Sequence, residues 1–232
     1  MRGFVFGVYP YIALSVLLIG SVARYERDPF TWKSGSSQLL RRRQLILGSV
    51  LFHIGMLIIF VGHFIGLLTP LWLLDGLHVG HEFKQILAIV IGGAGAIAAL
   101  AGGFILLFRR LGDPRIRATS SWMDIFILSL LLFQLCLGSV SILISLQHID
   151  GSEMIKFMKW AQAIFIFDTR AASYTQGTSW IFAAHIFTGL TIFILFPFSR
   201  LVHMLSVPVR YLWRPGYQIV RTRKSAPRQP AE

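Results

Sequence analysis

The sequence predicts an all-α membrane protein, a bundle of five transmembrane helices with the N-terminus outside and the C-terminus cytoplasmic. Three observations carry that reading. Hydrophobic residues make up 55% of the 232 positions, with a mean hydropathy of +0.66, and charged residues only 14%, against about 25% in soluble domains. Five apolar runs, at residues 4–23, 44–68, 85–108, 122–146 and 179–201, each reach the length of about 20 residues that a helix needs to cross a bilayer. Tryptophans sit near the ends of these runs or in the loops, at Trp32, Trp72, Trp122, Trp160, Trp180 and Trp213, where interfacial aromatic belts place them.

The first run follows a single basic residue, Arg2; no small-x-small cleavage site follows it cleanly, and the charged Arg24–Arg27 stretch stops it. It reads as a retained first span rather than a signal peptide. The orientation follows from the distribution of Lys and Arg. Arg24, Arg27, Lys33, Arg41, Arg42 and Arg43 follow the first span, Arg109, Arg110, Arg115 and Arg117 the third, and seven more lie from Arg200 onward. That puts 17 of the 22 basic residues on one side, which the positive-inside rule makes cytoplasmic. The same rule accounts for the net charge of +12 without nucleic acid. A tail at residues 224–232, rich in proline and polar residues, is expected to be disordered.

The longest outer loop contains DGSEMIKFMKWAQAIFIF, whose apolar positions suit a short interfacial helix. The single cysteine, Cys136, excludes an intrachain disulfide and a Cys-ligated iron–sulfur cluster, and its apolar run predicts a small buried side chain. Gly92, Gly93 and Gly95 follow no strand, so close helix packing is expected there rather than a nucleotide loop. No phosphate loop, HExxH zinc motif or nucleophile elbow is present, and no catalytic residue is assigned.

Four of the seven histidines carry the functional reading. His53 and His63 lie on the second span, in LFHIGMLIIFVGHFIGLLTP, and His185 and His203 on or at the end of the fifth. An imidazole in hydrocarbon is costly and marks a functional site by default. The two spans run antiparallel, so matching by depth pairs His63 with His185 near the outer side and His53 with His203 near the inner side. Opposed imidazoles are what the two faces of a haem iron take, and an iron filled on both faces suits electron transfer. His53 and His63 are about 15 Å apart on a helix, whereas His185 and His203 would be about 27 Å apart on a straight one. Pro197 lies between the latter two and is expected to kink or break the helix.

His78, His81 and His148 are expected in solvated outer loops. The Gly48, Gly55, Gly62 stripe reads as helix packing, with Gly62 and Gly66 also suited to contact a ligand beside His63. Arg110 and Arg200 are candidates for haem propionates. Lys84, in HEFKQ, is a candidate donor to a ligand near the outer pair. Two other classes fit intramembrane histidines, a transporter or proton channel with a histidine relay and a structural anchor with hydrogen-bonded histidines. Only a haem protein would show visible absorbance.

The segments VYPYIALSVLLIGSVARY, YERDPFTWKSGSSQLL, LFHIGMLIIFVGHFIGLLTP, RIRATSS, QHIDGSEMIKFMKWAQ and FPFSRLVHMLSVPVRYL occur in this order over nearly the whole chain. In them the sequence closely resembles the gamma subunit of membrane-bound respiratory nitrate reductase, a dihaem cytochrome b. The resemblance implies a dihaem domain over residues 1–223 and two haem b, the distal one on His63 and His185 and the proximal one on His53 and His203. It implies quinol (menaquinol or ubiquinol) bound near Lys84, Gly62 and His63. It implies an iron–sulfur beta subunit and a molybdenum-containing alpha subunit on the cytoplasmic face of the cell's inner membrane, where nitrate is reduced. A related cytochrome b of another quinone-linked or sulfur-metabolism complex is the alternative that histidine placement alone leaves open.

Overall fold

The computed structural model describes residues 2–32, 40–78 and 80–206. The expected disordered tail and Trp213 lie outside the described residues. Among the described residues there are eight α-helices, short π and 3-10 turns, and no strand. The helices are α1 Tyr9–Arg27, α2 Arg42–Leu68, α3 Leu71–Gly76, α4 His81–Gly112, α5 Pro114–Ala118, α6 Trp122–Ser145, α7 Ser152–Phe165 and α8 Trp180–Leu195. A π-helical turn, Phe4–Val8, runs into α1. Five of the helices are long and apolar enough to cross a membrane: α1 with its π turn, α2, α4, α6, and α8 with the turn after it.

The five spans are not evenly packed. α2 lies against α4, α4 against α6, α6 against α8, and α1 covers α8. Small residues permit the closest of these approaches. A Cβ on Gly55 would stand 2.5 Å from Ala99 N and Gly95 O, and one on Gly102 2.3 Å from Phe52 N, so α2 and α4 meet backbone to backbone. Gly48 and Gly95 are also tightly faced, but Gly92 and Gly93 meet nothing within 4 Å. The packing expected of all three α4 glycines holds only for Gly95.

α2 and α8 do not pack along their length. The ring α2–α4–α6–α8 is therefore open on one side. In keeping with this, α2 is the least buried span: 11% of its most apolar stretch is buried, against 22–28% for the others.

Each end of the bundle has its own closure. At one end α7 folds across it. Phe157, Trp160, Ala161 and Ile164 form a core with Phe6, Ala171 and Phe182, and Trp160 Nε1 donates to Phe6 O at 2.8 Å. Trp160 is thus buried in this core. Gln162 donates to the Leu67 and Thr69 carbonyls at 3.2 and 3.0 Å, pairing groups that the C-terminus of α2 leaves without intrahelical donors. The loop into α8 is held by Arg2, which donates to the Thr175 and Thr178 carbonyls. An Arg170–Asp168 pair at 3.1 Å stands in the same loop. Hydrogen bonds from the Arg170 side chain and backbone hold the Asp168 carboxyl below its ordinary pKa.

The opposite end is rich in arginine. Asp113 caps α5 and pairs with Arg41 at 2.7 Å. Ser121 and Asp124 form a capping box that starts α6. Asp124 also pairs with Arg200, and its carbonyl accepts from Arg110 Nη1 at 3.1 Å. Both arginines considered for propionates are therefore engaged by Asp124.

Three further sequence expectations need correction. Cys136 is exposed, facing out of the bundle from α6. In a membrane helix the outward face is as apolar as the interior, so an apolar run does not say which side a small residue takes. His81 is the first residue of α4 rather than part of a loop, its Nε2 3.5 Å from Asp75. The fifth helix ends at Leu195, short of the expected residue 201. A 3-10 turn, Phe196–Phe198, follows it, Ser199 is extended, and a second 3-10 segment, Arg200–Leu205, carries His203.

Candidate haem and quinol sites

Two histidine pairs stand across the open side of the ring. The His63 and His185 ring centroids are 6.1 Å apart, and those of His53 and His203 are 6.2 Å apart. The structure thus brings together the same two pairs that matching by depth selects. It also removes the spacing problem. His203 is not on the helix that carries His185, so a straight-helix rise does not apply between them.

The break has a local cause. Proline has no N–H and its ring clashes with the preceding turn. α8 ends two residues before Pro197, whose side chain is fully buried, and a 3-10 turn replaces the α-helical path there. Gly20 on α1 gives it room, since a Cβ there would lie 2.8 Å from Pro197 Cγ.

Three of the four imidazoles have Nδ1 on a backbone carbonyl: His53 on Ser49 at 2.7 Å, His63 on Ile59 at 2.8 Å and His203 on Arg200 at 2.5 Å. A carbonyl only accepts, so each of these Nδ1 atoms carries the proton. Nε2 is then a free lone pair, the state a metal requires, with the ring direction fixed by the carbonyl behind it. Ser49 Oγ also approaches His53 Nδ1 at 3.2 Å.

His185 is held differently. The Gly138 position faces its ring, where a Cβ would lie 3.0 Å from Cε1, and Gln134 Nε2 lies 3.4 Å from its Nε2. Its Nδ1 and Gln134 Oε1 are buried without a hydrogen-bond partner among the described residues. Gln134 and Gly138 were not singled out in the sequence. An amide in the run LLLFQLCLG is the signal that could have found Gln134, since it is costly in hydrocarbon.

The residues fit a bis-imidazole haem at both places. Metal–nitrogen bonds of about 2 Å on each side, with ring centroids about 1 Å behind each nitrogen, put centroids about 6 Å apart. His53 and His63 are exposed on the least buried span. Imidazoles left facing lipid would be costly, which favours a filled gap over a bare one.

Beside the His63 pair, Gly62 and Gly66 meet nothing within 4 Å. Lys84 reaches this region from the first turn of α4, its Nζ donating to the Gly66 carbonyl at 3.1 Å and standing 3.3 Å from Met158 Sδ. Lys84 therefore caps the C-terminus of α2, where a cation is favourable, and presents a charged donor beside an open, glycine-lined surface. Gly48 and Gly55, by contrast, are filled by α4.

The nitrate reductase gamma subunit family profile matches residues 2–223. The chain belongs to that family. It is 51% identical over 220 residues to the respiratory nitrate reductase 1 gamma chain of Escherichia coli K12, covering 95% of this chain and 97% of that one. It is 45% identical to the respiratory nitrate reductase 2 gamma chain of the same organism, with the same coverage. It is 38% identical to the nitrate reductase gamma chain of Bacillus subtilis 168, covering 94% and 96%. This gamma-family chain is a multi-pass membrane protein, and the matched region contains all four paired histidines, Lys84 and Gly62.

Proposed function

We propose that this chain is the quinol-oxidising cytochrome b subunit of a respiratory nitrate reductase in the cell's inner membrane. The observation that carries the reading is the two opposed imidazole pairs, 6.1 and 6.2 Å between centroids, on the open side of a helix ring. His63 and His185 hold one haem b, and His53 and His203 hold the other. Held by two imidazoles, each haem would supply one-electron transfer and would offer no iron site to a substrate.

The chain's own residues do the rest. The Ser49, Ile59 and Arg200 carbonyls keep three imidazoles in the ligating tautomer. Lys84 donates a hydrogen bond to a quinol oxygen, and Gly62 and Gly66 leave the surface on which the ring lies. The arginine-rich end faces the cytoplasm by the positive-inside rule. There it meets the iron–sulfur beta subunit, which passes electrons to the molybdenum-containing alpha subunit for nitrate reduction. The Lys84 end is then outside. Quinol releases its two protons on the outer side and passes its two electrons inward, each electron working against about 2.3 kcal/mol per 100 mV of a membrane potential negative inside.

The test is the purified complex in proteoliposomes, supplied with quinol and with nitrate on the arginine-rich side. Quinol-dependent nitrate reduction with acidification on the Lys84 side supports the reading. Proton release on the arginine-rich side overturns it.

A further inference from the structure

We infer that Arg24 is a positioning residue for His203, acting through the break at Pro197; this rests on the reading that His203 and His53 hold a haem. His185 is carried on α8, its place along the chain set by the helical ladder. His203 is not, because the helical ladder stops at Leu195. The chain between them must be anchored from elsewhere, and α1 provides the anchor. Arg24 Nη1 donates to the carbonyls of Pro197 at 2.7 Å and Ser199 at 2.8 Å. Its Nη2 donates to Thr31 O at 2.9 Å. One planar guanidinium thus ties α1, the turn at Pro29–Thr31 and the break into a fixed triangle. Gly20, one turn earlier on α1, seats the Pro197 ring against the same helix.

From this anchor to the imidazole the chain is short and continuously held. Ser199 Oγ accepts from Leu201 N at 3.2 Å, Arg200 is gripped by Asp124, and Arg200 O accepts from His203 Nδ1. The positive-inside rule accounts for a cation at position 24 but not for a three-way clamp on carbonyls. A lysine supplies charge without the planar fork, so Arg and Lys are not equivalent here.

The test uses the full chain in its complex, read by potentiometric titration of the reduced-minus-oxidised absorbance. In R24M, the component that His203→Ala removes should fall in occupancy by about tenfold or more, the scale of outer-shell losses, or shift its midpoint. The component that depends on His63 should stay at its wild-type amplitude and midpoint. R24K should restore part of the loss, G20V should reproduce it by displacing Pro197, and R27M, at an exposed neighbour on α1, should leave both components intact. Both components at wild-type amplitudes and midpoints in R24M would overturn the inference. So would a parallel loss of both, which a residue needed only for general stability would give. A wild-type complex with no haem would instead remove the functional reading itself.

Discussion

His53 and His203 face each other with ring centroids 6.2 Å apart, although one sits on a long membrane helix and the other on a 3-10 turn beyond the end of a different one. The pair exists because α8 is allowed to stop. Had the helix continued through Pro197, the rise of about 1.5 Å per residue would have carried His203 past its partner. Each imidazole is oriented from behind by a carbonyl three or four residues earlier, Arg200 or Ser49.

The glycines of α2 should separate into two kinds. Gly55→Ala puts a methyl 2.5 Å from the α4 backbone and should cost about 1–3 kcal/mol through overpacking. Gly62→Ala meets nothing within 4 Å and should leave the midpoint of thermal unfolding in detergent within error of wild type, while raising KM for quinol. Equal melting shifts for the two variants would contradict the distinction.

Lys84 has a structural partner and a proposed substrate. Lys84→Met removes the donor to Gly66 O, but Gln162 still pairs the Leu67 and Thr69 carbonyls. The bundle should therefore assemble with unchanged absorbance while quinol oxidation falls by about tenfold or more, the loss expected for a charge-assisted hydrogen bond worth about 1.5–3 kcal/mol. Steady-state oxidation beside a difference spectrum separates the two roles. Unchanged quinol kinetics would leave Lys84 as a helix cap alone.

The loop before α8 should loosen in acid. The hydrogen bonds from Arg170 depress the Asp168 pKa in the folded chain. A depressed carboxylate contributes stability that is complete above the unfolded value of about 3.9 and lost as pH falls through the folded value. Amide protection factors around residues 168–178 should thus be high at neutral pH and fall below pH of about 4. Asp168→Asn should show low protection at neutral pH and little further change in acid. A wild-type loop indifferent to acid would contradict the assignment.

Much of this arrangement is legible in the sequence because lipid imposes simple rules. Apolar length marks α1, α2, α4, α6 and α8, and the antiparallel order of α2 and α8 pairs the histidines by depth. Details that depend on packing are not legible. Pro197 announces a break, but the return of His203 depends on Gly20 and Arg24, more than 170 positions away in sequence. Cys136 faces outward and Gly92 and Gly93 meet open space, because the lipid face and the interior of a span are equally apolar. Nor is the core that Trp160 joins through its hydrogen bond to Phe6 legible, since it forms only because α7 folds across the bundle end.

The most direct test is a potentiometric titration of the reduced-minus-oxidised spectrum of the complex, wild type beside His63→Ala and His203→Ala. Two b-type components are expected in the wild type, with His63→Ala losing one and His203→Ala losing the other. A single component, none at all, or the same component lost in both variants would contradict two independent bis-imidazole sites.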